Sequence, residues 1–178
     1  MRRFIQTTGV IGLSLLLKAS SVFAQGAGIE WEILNQEVMD LYHAGEYDRA
    51  VIIARKALEI AEKNVGPYHP HVAASLNDLG LVYHDQGQNA LAEPLLKRAL
   101  AIVEKVRGPD HPSVATTLNN LALLYDDLGN YAKAEPLYKR ALAIDEKALG
   151  PDHPFLIKQL LNSSTYYSSS PFLAFASP

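Results

Sequence analysis

The sequence predicts an all-α chain, a right-handed solenoid of stacked helix hairpins with three full repeats and a partial fourth. Three observations predict it. Gly66-Pro67-Tyr68-His69-Pro70 returns as Gly108-Pro109-Asp110-His111-Pro112 and as Gly150-Pro151-Asp152-His153-Pro154, at a spacing of 42 residues. Residues 66–107 and 108–149 are identical at 26 of 42 positions. Gly45, Gly87 and Gly129 share one register, as do Ala50, Ala92 and Ala134, and Ala57, Ala99 and Ala141. A fixed period of this length marks an array whose units cannot bury their apolar faces alone and must stack on their neighbours.

The elements follow in chain order. Arg2-Arg3, the apolar stretch Gly9–Leu17 and the small residues Val22-Phe23-Ala24 read as a signal peptide over 1–24, cleaved after Ala24. The apolar stretch falls short of the roughly 20 residues a membrane helix needs. The chain is therefore expected to be exported, periplasmic or secreted, with no membrane association after cleavage. Ordinary secretion and twin-arginine export, the latter on Arg2-Arg3-Phe4-Ile5, both stay open. The array proper spans 25–167, in repeats of about 29–65, 66–107 and 108–149 and a fragment over 150–167.

Each repeat reads as two helices, A and B. In the third, Pro112 suits the first position of helix A, where its missing N–H costs nothing. Leu118, Leu121, Ala122 and Tyr125 then form an apolar stripe at helical spacing. Gly129 suits the left-handed residue that ends helix A. Helix B is expected over about 131–148, stopped by Gly150-Pro151 and gently bent at Pro136, as its counterpart is at Pro94. Gly80 or Ala122, with Ala92 or Ala134, let helices A and B approach closely. The fragment starts a fourth helix A at Phe155–Leu161 and then breaks into Ser163–Ser170, which leaves 168–178 as a flexible tail.

Leu118–Tyr125, Gly129-Asn130-Tyr131 and Ala134–Leu142 together resemble the tetratricopeptide repeat family, in its 42-residue, kinesin-light-chain-like form. The resemblance covers about 30–154 and implies a concave face lined by helices A. It implies a protein-interaction scaffold, because in kinesin light chains asparagines on that face hold the backbone of an extended peptide.

Asn35, Asn77 and Asn119 repeat at one register, each following a core leucine by about 100° of helix. A carboxamide both donates and accepts, so it can serve a peptide backbone of any sequence. A second use, bridging adjacent helices A, fits the same pattern. By register the groove adds Glu32, Met39, Tyr42 and His43; Ala74, Leu81, His84 and Asp85; and Thr116, Leu123, Asp126 and Asp127. With no Lys or Arg in any full helix A, a neutral or basic segment is the expected ligand. The rival expectation is a self-associating structural part that stacks through its open ends.

Other chemistries find little support. There is no cysteine, hence no disulfide and no thiolate site. Removing the leader takes the net charge from −3 to −6, which disfavours nucleic acid and anionic lipid. Lys97-Arg98, Lys139-Arg140 and Arg55-Lys56 on helix B read as solvated charges paired with nearby glutamates. From repeat to repeat His69, His111 and His153 are too widely spaced to share a metal, the close pair His69 and His71 lacks further ligands nearby, and these histidines read as residues that start helices. No phosphate loop or catalytic constellation occurs, so no cofactor and no enzymatic activity are expected.

Overall fold

A computed structural model of the protein describes residues 29–150. The leader, the fragment after Gly150 and the tail lie outside the described residues. Among those described, six helices and no strand occur: α1 over 29–43, α2 Tyr47–Val65, α3 Pro70–Asp85, α4 Asn89–Arg107, α5 Pro112–Asp127 and α6 Tyr131–Leu149. The odd-numbered helices are helices A of the array and the even-numbered are helices B. None of them is long and apolar enough to cross a membrane. The boundaries of α5 and α6 agree with the sequence reading to within one residue. Gly129 closes α5 at φ +71°, a region where a side chain would be strained, and its N–H donates to Asp126 O.

The chain divides into two compact units, split between Ile102 and Val103 within α4. In the first, Leu34, Val38 and Leu41 of α1 are buried, as are Ala50, Ala54, Ala57 and Ala61 of α2. The alanine spacing of 4, 3 and 4 keeps one narrow face of α2 turned inward. Helices α3 and α4 approach each other closely at Gly80. A Cβ built there would stand 2.8 Å from Cγ of the fully buried Leu96. In the second unit Leu118, Ala122 and Tyr125 of α5 and Ala134, Ala141 and Ile144 of α6 are buried. Asp145 is buried too, where the earlier repeats place Ala61 and Val103, and burial holds its carboxyl above the usual carboxylate range.

The outer side of α1 departs from its counterparts. Val72, Ser75, Leu79 and Val82 of α3 are buried, and so are Val114, Thr117, Leu121 and Leu124 of α5. One or two periods earlier stand Glu30, Ile33, Glu37 and Asp40 of α1, all exposed. Three of the four are acids where the later repeats have Val or Leu, so this face is not built to receive another hairpin. Terminal repeats of arrays carry such polar outer faces.

The charges on helices B are paired much as expected. Lys97 reaches Glu93 at 2.6 Å, Lys139 reaches Glu135 at 2.6 Å, and Arg140 reaches Glu104 at 2.5 Å. Arg98 pairs with Glu62 of α2 at 2.6 Å. Exposed pairs of this kind contribute about 0–1 kcal/mol each. Arg55 is exposed, as expected of a surface charge, and in addition its guanidinium donates to the hydroxyl of buried Tyr83 and lies 5.8 Å from that ring's centre.

Candidate functional site

The candidate site is carried by the helices A. In the first unit, Asn35 follows buried Leu34, which leaves its side chain half-buried at the edge of the core. Its Oδ1 is enclosed and has no hydrogen-bond partner among the described residues. An enclosed acceptor without a donor costs about 1–3 kcal/mol, and an oxygen so enclosed presents no surface to a ligand. Met39 and Leu81 are half-buried and offer apolar surface on the same helices.

Tyr42, His84 and Asp85 are drawn together instead of standing apart. The Tyr42 hydroxyl donates to Asp85 Oδ2 at 2.5 Å, and His84 Nδ1 lies 3.1 Å from Asp85 Oδ1. The chain of contacts ties α1 to α3, and His84 is 8% exposed. Burial first, then the bond to Asp85, makes the Tyr42 phenol a much weaker acid than an ordinary tyrosine. Part of the register assigned to ligand contact therefore joins neighbouring repeats. Tyr42→Phe is expected to lower stability by about 1 kcal/mol, because Asp85 loses its donor on α1. Urea unfolding measures this, and an unchanged midpoint would show the bond to be idle.

Asn77 donates to the carboxylate of its neighbour Asp78. Asp78 escaped the sequence reading, although its register holds a signal: Gln36 and Asn120 are the counterparts, so an acid replaces an amide in the middle repeat. Burial pushes its carboxyl up to about 6, against the opposing bond from Asn77. Trp31 was missed as well. Its ring stacks on His71 at 3.9 Å and its Nε1 donates to Ser75 Oγ at 2.7 Å.

In the second unit Asn119 is half-buried beside fully buried Leu118. Leu123 is 38% exposed and Asp127 is exposed. Asp126 holds one enclosed oxygen, Oδ1, without a partner among the described residues. No group of three or more potential metal ligands gathers among the described residues.

The sequence model of the tetratricopeptide repeat family matches residues 32–105 and, overlapping them, 79–147. The chain belongs to the tetratricopeptide repeat family. Solved structures of the same fold include BtubC (BKLC) from P. vanneervenii, with a TM-score of 0.71 and 23% identity, covering 80% of this chain and 57% of that one. They also include a putative kinesin light chain with nearly identical TPR-like repeats from Podosopora anserina, with a TM-score of 0.67 and 26% identity, covering 73% of this chain and 62% of that one. A single-substitution variant of that second protein is similar at a TM-score of 0.66. This tetratricopeptide chain thus spans about six-tenths of the length of these relatives. Comparison with curated proteins finds no match.

Proposed function

We propose that this tetratricopeptide repeat protein is an exported, non-catalytic interaction module whose helices A hold an extended peptide or partner loop of neutral or basic character. Tetratricopeptide repeats generally mediate protein–protein interaction. One observation carries it: the charges are sorted by helix. Every Lys and Arg among the described residues stands on α2, α4 or α6, whereas α1, α3 and α5 carry acids and neither Lys nor Arg. A ligand on α1 meets exposed Glu32 and one on α5 meets exposed Asp127, with no competing Lys or Arg on either helix, which favours a basic segment by complementarity.

End-to-end self-association is the rival, and the outer face of α1 weighs against it. Stacking a second copy there would enclose Glu30, Glu37 and Asp40, at the cost of desolvating three carboxylates.

Anisotropy of labelled peptides carrying net charges from negative to positive tests the reading on the protein itself and on Asn35→Ala and Asn119→Ala. Asn77 is left in place because it supports Asp78. Neutral or basic peptides should bind, more weakly at high salt as screening grows, and each variant should weaken them with its melting curve unchanged. Preference for acidic peptides, or equal binding by correctly folded variants, would refute the proposal.

A further inference from the structure

Two of the helix starts among the described residues are built on a group that can be switched off by a proton. α3 begins with Pro70 and α5 with Pro112, and proline brings no N–H to the first helical position. At the third position, Val72 N and Val114 N already donate to the carbonyls of His69 and His111, at 3.0 and 2.8 Å. The donor left over is the N–H of the second position. In both helices an imidazole accepts it: His71 N donates to His69 Nδ1 at 3.1 Å and Ser113 N donates to His111 Nδ1 at 3.1 Å. Both capping residues hold extended backbone, φ −85° ψ 150° and φ −77° ψ 142°.

An imidazole accepts at Nδ1 only when that nitrogen carries no proton, with the hydrogen on Nε2. The imidazolium form has two N–H donors and no acceptor. Protonation would therefore set N–H against N–H and place a positive charge at the positive end of each helix dipole, and both effects oppose the helix start. Ser, Thr, Asp or Asn would cap without this dependence.

We infer that His69 and His111 make the two hairpin-to-hairpin junctions, 66–69 and 108–111, sensitive to acid: each following helix A starts firmly with a neutral imidazole and frays at its first turn when that imidazole is protonated. The His69 ring meets His71 edge-on at 4.5 Å, and His71 in turn stacks on Trp31. The Arg107 guanidinium of α4 stands 3.4 Å from His111 Nε2; with the hydrogen on Nε2 this contact is N–H against N–H and no hydrogen bond, and an imidazolium would add a second cation there. Asp110, next to His111, is engaged by Lys147 of α6, which holds its carboxyl below the usual range. The device does not depend on what the array binds.

The test compares the protein with His69→Asn/His111→Asn, since asparagine caps as well and does not titrate between pH 5 and 8. Melting temperature is read from pH 8 to pH 5 for both proteins, and their difference cancels every other titrating group. The variant should match or slightly trail the wild type at pH 8 and gain on it steadily as the pH falls to 5. Parallel curves would overturn the inference. In the wild type, hydrogen exchange at the amides of His71 and Ser113, corrected for intrinsic rate, should quicken by about tenfold between pH 8 and pH 5. This second measurement decides the matter if the double variant fails to fold: amides no less protected at pH 5 would also overturn it.

Discussion

Asp78→Asn is expected to stabilise the protein at pH 7 by about 2 kcal/mol, an unusual sign for a change at a buried position. A carboxyl moved from its ordinary 3.8 to about 6 is worth about 3 kcal/mol at 1.36 kcal/mol per unit, and the water contact that Asp78 keeps lowers the figure. The direction follows from linkage. The folded carboxyl holds its proton more tightly than the unfolded one, so its contribution is fully present below 3.8 and is lost as the pH rises through about 6. At pH 7 the wild type bears an enclosed carboxylate, which the amide replaces without charge. The third repeat already uses an amide here, Asn120, and Asn77 can donate to the Oδ1 of an asparagine as it does to the acid. Urea unfolding at pH 4 and pH 7 should show the advantage at pH 7 and little at pH 4. A variant less stable at both would mean that the charge itself is used, and that Asp78 is solvated or paired.

The Gly80–Leu96 contact supports a prediction of comparable size. Gly80→Val should cost about 1–3 kcal/mol by overpacking, since even a Cβ would meet Leu96 Cγ at 2.8 Å. Leu96→Ala should cost about 2–5 kcal/mol through the cavity it leaves in a fully buried site. Combined, they reproduce the pair that the first repeat places in the same register, buried Val38 and Ala54. The double variant should therefore recover most of the loss, with a coupling of about 1–3 kcal/mol. Simple addition of the two costs would show that helices A and B do not trade volume at this point.

These two sites mark what the sequence could and could not reveal. The 42-residue period located every described helix, because glycines and prolines punctuate each repeat and apolar residues recur at helical spacing between them. Even the close approach at Gly80 was legible, as a small residue on a core stripe. The side-chain connections were not. Tyr42 meets Asp85 one period and one residue further on, and Arg55 meets Tyr83 across 28 residues. Register says which positions are equivalent, but not which atoms of neighbouring helices come within reach. Asp78 was visible only as a break in an amide register, and its meaning depends on burial that a periodic pattern does not measure. Sequence alone marks the histidines as helix starters, yet the atom that does the capping, Nδ1, and its donor two residues on needed coordinates.

The proposal is that the helices A form the binding surface. Hydrogen exchange of the protein with and without a saturating basic peptide tests it most directly. Added protection should fall on 29–43, 70–85 and 112–127 and spare the basic helices Tyr47–Val65, Asn89–Arg107 and Tyr131–Leu149. Protection confined to those basic helices, or a peptide that protects nothing at any concentration, would contradict it.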